Sequence, residues 1–223
     1  MDYTYLICSR DTDARGNFIA EPGETTFLRV PGSKSDYSAS DAISESRWKK
    51  AVIAAATREQ DPITKSTGDI LLFVHGYNND IPSVLWRTRT LQSTLAEQGW
   101  KGLVVGFDWP SDNSTLNYLE DRSDAAAVAQ RLIDDTLGIL IDAQFPQDGG
   151  APCTLNVHLL GHSTGAYLIM EAFAQASKNG DYFKKSWRIA QVALIGGDVS
   201  SASLASNCDP KNSSSRSGLI VRY

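Results

Sequence analysis

The sequence predicts an α/β fold in which a mostly parallel central sheet carries helices on both faces, and three observations lead there. Short, nearly continuous apolar runs recur along the chain, namely "DILLFVHG" (69–76), "KGLVVGFDWP" (101–110), "TLNVHLLG" (154–161) and "RIAQVALIGG" (188–197). Runs of that length and purity suit strands buried on both faces. Between them lie segments with helical periodicity, and strand–helix alternation with right-handed crossovers requires a parallel sheet. Third, His75, Asp108, Ser163 and Asp198 all fall at or just after the carboxyl end of a strand. Chemistry collects at that edge in such sheets.

The elements follow in order. "YTYLIC" (3–8) and "TFLRV" (26–30) read as strands, separated by turn-rich "RDTDARGN" and "EPGE". The polar, Ser-rich stretch 31–46 reads as a surface loop of variable order, and "RWKKAVIAAAT" (47–57) as a short helix. After the 69–76 strand, Asp80 is placed to cap a helix with Pro82 in its first turn; Val84, Leu85, Thr88, Leu91 and Leu95 form its apolar face, and Gly99 stops it. A longer helix is expected from about Asp121, with Ala125, Val128, Leu132, Leu137 and Leu140 as its stripe. "TGAYLIMEAFAQAS" is the helix after Ser163, and "GLIVRY" (218–223) reads as a further strand. The expectation is one domain over residues 1–223, with N-terminal strands, polar loop and short helix in 1–68 and a parallel βαβ core in 69–223.

The totals exclude several function classes. A formal net charge of −5 gives no electrostatic reason to expect a nucleic-acid or membrane-surface partner. No apolar run is long enough for a membrane span, and "MDYTYLICSR" is not a secretory leader. Cys8, Cys153 and Cys208 are an odd number, far apart and in no metal-ligand spacing, as expected of free thiols in a cytoplasmic protein. There is no G-x-G-x-x-G and no lysine after a glycine loop, which argues against a nucleotide-binding protein.

"GHSTG" (161–165) carries the chemistry. A serine between glycines, set between a buried strand and a helix, fits a sharp turn that lifts its Oγ above the sheet. Gly161 and Gly165 relieve the crowding such a turn creates. Thr164 opens the helix, so its amide points where an oxyanion would form. A second donor is offered by "FVHGYNND", where Gly76 allows close approach and the Tyr77 amide is the candidate. The plainer alternatives are a Ser163 that only caps the helix and a His75–Gly76 pair that only makes a tight turn. For Asp108 and Trp109 in "GFDWPS" the options are shaping the pocket, joining a polar network, or stabilising a turn. Tyr118, Asp121 and Asp124 read as the start of the long helix, with acids complementing its dipole.

Taken together, "LLFVHGYNND", "GFDWPS", "VHLLGHSTGAYL" and "VALIGGDVS" resemble the α/β-hydrolase superfamily over about residues 69–223, and most of all the bacterial DUF900-like hydrolases of unknown function. The resemblance implies a serine hydrolase acting on a small-molecule ester, thioester or amide through an acyl-enzyme, with no metal and no organic cofactor. It implies Ser163 as nucleophile and the Tyr77 and Thr164 amides as oxyanion hole, with His75, Gly76, Gly161 and Gly165 in support. Asp198 is the candidate acid, the alternative being a cap or loop support. Triad order in this superfamily is Ser, then acid, then His, yet the three histidines, His75, His158 and His162, all precede Ser163. His162 is expected to leave the turn in another direction, His158 to pack within its strand, and His75 to hold the oxyanion loop, with a role as base its lesser alternative. The sequence therefore reads as a hydrolase truncated before its last strand, helix and catalytic histidine, with self-association through the open edge at Gly218 to Tyr223 as a route to completion in trans. The competing reading is a catalytically inactive ligand- or protein-binding domain of the same fold.

Overall fold

A computed structural model of the chain describes residues 2–59, 63, 66–111, 122–142, 155–178 and 189–197. Among the described residues six strands form one sheet in the order β2-β1-β4-β3-β5-β6. Strands β1 (Tyr3–Thr12) and β2 (Phe18–Pro31) make an antiparallel hairpin; β3 (Gly68–Val74), β4 (Leu103–Asp108), β5 (Leu155–His162) and β6 (Ile189–Ile195) are parallel, and β1 runs parallel to β4. The sheet is thus mostly parallel, as the unbroken apolar runs require: every residue of β3 and β4 is buried.

Side chains alternate between the two faces of each strand. Ile70, Leu72 and Val74 of β3 enter the main core with Trp48 and Val52 of α1 (Glu45–Ala56). Val128 and Ala129 of α3 (Arg122–Arg131) and Leu168, Ile169 and Ala172 of α5 (Thr164–Lys178) complete that layer. Leu71 and Phe73 face the other way, with Leu91 and Leu95 of α2 (Ile81–Glu97) packed against them.

Local chemistry sets the ends of α2. Asp80 caps it by accepting from Ser83 N at 2.9 Å. At the other end Trp100 N donates to Leu95 O at 3.0 Å and Gly99 N to Ala96 O at 2.9 Å, with Gly99 at φ 84°, a Schellman stop that needs glycine's freedom. The long helix is divided. After α3 comes a π-helical segment, Leu132–Leu137, then α4 (Gly138–Asp142). The wider turn lets Val128, Leu132, Leu137 and Leu140 share one buried layer although their spacing fits no strict helical period.

Two expectations for the N-terminal third are corrected. "EPGE" is not a turn: β2 runs through it, with register shifts between Cys8 and Arg10 and between Arg10 and Thr12. A Cβ on Gly23 would collide with the Asp11 backbone, so glycine lets the irregular strands stay paired. Nor is 31–46 a loose loop. It holds a 3-10 turn (Ala39–Asp41) closed by a Ser38–Asp41 capping box, an ion pair from Lys34 to Asp41 at 2.7 Å, and a buried Tyr37. Its serines serve turn geometry.

Asp198, Tyr118, Asp121, Cys153, Cys208 and the 218–223 segment lie outside the described residues, as does the start of the long helix at residue 121. No helix among the described residues is long and apolar enough to cross a membrane.

Candidate active site

Register alone assembles the site. Val74 at the end of β3 pairs with Phe107 on one side and Gly161 on the other. One step further, His75 therefore meets Asp108; two steps further, Gly76 meets Ser163.

Ser163 sits between β5 and α5 at φ 54°, in the left-handed region that a non-glycine residue enters at a cost of about 1–2 kcal/mol. Its neighbours hold it there. Ser163 N donates to Ile195 O and Ala166 N to Ser163 O, each at 2.9 Å. A Cβ on Gly161 would lie 2.7 Å from Ala166 Cα, and one on Gly165 would overlap Val74 O and lie 2.5 Å from His75 O. On Gly76 it would stand 2.9 Å from both His162 O and Ser163 Cβ. All three glycines mark places where backbone must pass closer than any side chain allows, and the last puts the 75–79 loop directly against the serine.

That loop is fastened by its carbonyls. His75 O accepts from Trp109 Nε1 at 2.9 Å, and Gly76 O accepts from His75 Nδ1 and Asn79 Nδ2, both at 2.8 Å. Tyr77 O accepts from Asn79 Nδ2 at 3.0 Å, and Asn79 O from Arg10 Nη2 at 2.8 Å. Asn78, at φ 53°, makes the reversal, with its amide bonded to Ser111 O at 3.0 Å. A trans peptide points its N–H opposite to its C=O. Holding Gly76 O thus aims the Tyr77 N–H the other way, and among the described residues nothing accepts from it. The Thr164 amide opens α5 and has no partner within the helix.

Beneath the loop lies a charged hub of buried residues. Asp108 accepts from Arg10 Nε at 2.9 and 3.0 Å, Tyr37 Oη at 2.7 Å and Cys8 Sγ at 3.4 Å, and its Oδ1 lies 3.0 Å from His75 Nε2. Arg10, Asp108, His75 and Tyr37 are all at most 4% exposed. Burial by itself would raise the Asp108 pKa, but Arg10, His75 and Tyr37 outweigh it and hold the carboxyl down at about 2. The same burial, reinforced by the Asp108 charge, pushes the Tyr37 hydroxyl and the Cys8 thiol well above their usual values, so both remain protonated donors.

The three histidines part company. His75 is buried, stacks on Trp109 with ring centres 5.5 Å apart, and has both nitrogens engaged. Nδ1 donates to Gly76 O; Nε2 faces Asp108 when protonated and accepts from Trp109 N, 3.2 Å away, when it is not. His158 pairs with Asp69 at 3.2 Å, five residues before Ser163 on β5, about 16 Å away along an extended strand. His162 is exposed beside the serine.

Sequence reasoning placed Ser163, Thr164, Gly76 and Tyr77 around one point and named Asp108 without its partners. It missed Arg10, Tyr37 and Asn79. Arg10 left one readable signal, a cation two residues after the largely apolar run 3–8; Tyr37 sits in a polar stretch and left none.

A family model described as an alpha/beta hydrolase of unknown function (DUF900) matches residues 53–221. That is well over half of the 223 residues, and the chain belongs to this family. No curated protein and no solved structure matches the chain.

Proposed function

We propose that this DUF900 α/β hydrolase is a serine hydrolase that cleaves a small-molecule ester, thioester or amide through an acyl-enzyme on Ser163. One observation carries the reading: a serine held at φ 54° on a glycine-crowded strand-to-helix turn, with the Gly76 backbone pressed against its Cβ. In the reaction Ser163 Oγ attacks the substrate carbonyl carbon, and the carbonyl π pair moves onto oxygen. The amides of Tyr77 and Thr164 receive that charge. Collapse of the adduct breaks the bond to the leaving group, which departs with the proton that Ser163 Oγ gave up on attack. Water then adds to the acyl carbon, the bond to Oγ breaks, and one of the water protons returns to Oγ as the acid is released. His75 supports the oxyanion loop and does not take the proton, because neither ring nitrogen is available to Ser163. Asp198, the residue after Gly197 beyond β6, is proposed as the acid. The region 1–223 works as one domain, since β1 is paired directly to β4 and carries the hub that underlies the loop.

A second reading is favoured by the engagement of His75 and the distance of His158: a domain that keeps the pocket and binds a ligand without turning it over. Labelling with a fluorophosphonate, located by mass spectrometry, separates the two. Rapid modification at Ser163, abolished in Ser163→Ala, is the expected result. A folded wild type that resists the reagent would overturn the hydrolase assignment and leave the binding domain.

A further inference from the structure

We infer that Arg10, on the N-terminal strand and before the family-matched region, is a positioning residue for the oxyanion hole, acting on the Gly76–Tyr77 peptide through Asp108, His75 and the Asn79 carbonyl. The inference rests on the serine-hydrolase reading for its catalytic meaning, but the mechanical link stands on geometry alone.

The link runs along two branches from one guanidinium. Through Nε, Arg10 fixes the Asp108 carboxylate, whose Oδ1 meets His75 Nε2 at 3.0 Å; the opposite ring nitrogen of His75 holds Gly76 O at 2.8 Å. Through Nη2, Arg10 holds Asn79 O at 2.8 Å, and the Asn79 side chain returns to Gly76 O and Tyr77 O. Both branches close on the same carbonyl, Gly76 O. That carbonyl and the Tyr77 N–H belong to one rigid peptide plane, so what fixes one fixes the other. Two branches converging from a single planar, forked cation resist rotation of the plane better than either alone.

Position in the chain makes the point more than structural. Residues 53–221 match the family model, whereas Arg10, Tyr37 and Cys8 do not fall within them. They reach the hub because β1 pairs in parallel with β4, with Cys8 opposite Asp108 and Arg10 two residues on. The N-terminal hairpin therefore supplies part of the apparatus that aims the catalytic amide. The contact from Nη2 falls on the carbonyl of Asn79, the residue whose side chain in turn holds Gly76 O and Tyr77 O.

The test uses the full chain with Arg10→Lys, which keeps the charge but loses the fork, and Tyr37→Phe, which removes one 2.7 Å hydrogen bond to Asp108 and keeps the ring. Two readouts are taken well below the melting temperature: the rate of fluorophosphonate labelling at Ser163, with kcat and KM on a p-nitrophenyl ester, and amide hydrogen exchange in the peptide covering 75–79. Displacing an oxyanion donor slows chemistry by about 10- to 100-fold. Arg10→Lys is expected to lower labelling and kcat by that order with KM little changed, and to speed exchange in 75–79. Tyr37→Phe moves both the same way by less, and serves alone if Arg10→Lys does not fold. Folded variants whose 75–79 exchange and labelling both equal wild type overturn the inference. If wild type itself is not labelled but exchange in 75–79 rises in the variants, the serine-hydrolase reading fails while the positioning of the loop stands.

Discussion

Asp108→Asn should cost more stability than its near-isosteric change suggests, and the cost should depend on pH. Three donor groups, from Arg10, Tyr37 and Cys8, converge on the two carboxylate oxygens, and His75 Nε2 lies 3.0 Å from one of them. An amide turns one of those acceptors into a donor and removes the negative charge that faces the Arg10 guanidinium, which is 2% exposed. Removing one member of a buried pair costs about 3–5 kcal/mol, and the upper half of that range is expected here. The sign with pH follows from the folded-state pKa of about 2, below the ordinary 3.8. A depressed carboxylate contributes stability that is fully present above the unfolded value and is lost as pH falls through the folded one. That contribution is about 2 kcal/mol, and about half of it disappears between roughly pH 5 and pH 3, most of the rest by about pH 2. The other carboxyls titrate in both proteins and cancel in the difference. Urea unfolding of wild type and variant, followed by tryptophan fluorescence, should show a stability gap of several kcal/mol at neutral pH that narrows by about 2 kcal/mol on acidification. A gap below about 1 kcal/mol, or one constant from about pH 5 to pH 2, would refute the hub as an ionised, strongly coupled pair.

Further outcomes follow from the glycine-crowded turn at Ser163. Ser163→Gly should stabilise the fold by about 1 kcal/mol by releasing the φ 54° strain, while Ser163→Ala should not; equal melting temperatures for the two variants would mean that no strain is stored there. Gly165→Ala should destabilise by about 3 kcal/mol, since its Cβ overlaps Val74 O, against about 1 kcal/mol for Gly99→Ala, where only the φ of 84° is at fault and nothing lies within 4 Å. Urea midpoints compare the pair, and a reversal of their order would show that the β3–α5 contact yields easily.

What the sequence disclosed depended on how local the cause is. β3 and β4 announce themselves because burial on both faces leaves no polar positions. The ends of α2 were readable from Asp80 and Gly99, each acting within four residues of itself. Ser163 was readable for the same reason: the strained turn constrains positions two before and two after. By contrast, the role of Arg10 depends on a partner at Asp108, 98 residues away, and no local pattern records that. Tyr37 was hidden by its setting, since a Ser-rich stretch reads as solvated until a capping box and a buried ring are seen in it. The π-helical segment blurred the helical stripe from Val128 to Leu140 because one extra residue per turn breaks the period that the eye looks for.

Under the serine-hydrolase proposal, the hub and the turn that carries Ser163 answer the same physical demand from opposite sides. An oxyanion hole works only if its donors point at the right place before charge develops, since reorienting them during reaction would cost the advantage. An amide cannot be held by its N–H without blocking the donor it is meant to offer. The loop is held by its carbonyls, with His75, Asn79, Trp109 and Arg10 bonded to the oxygens, which is the arrangement the proposed role requires. A buried anion beneath them fixes the Arg10 guanidinium and faces the His75 ring, and its contacts with Arg10, His75 and Tyr37 offset the cost of holding a carboxylate fully inside the core at β4's end. On this argument Asp108 is needed for the direction of an N–H it never touches, and its loss should reduce kcat at Ser163 even in conditions where the variant remains fully folded.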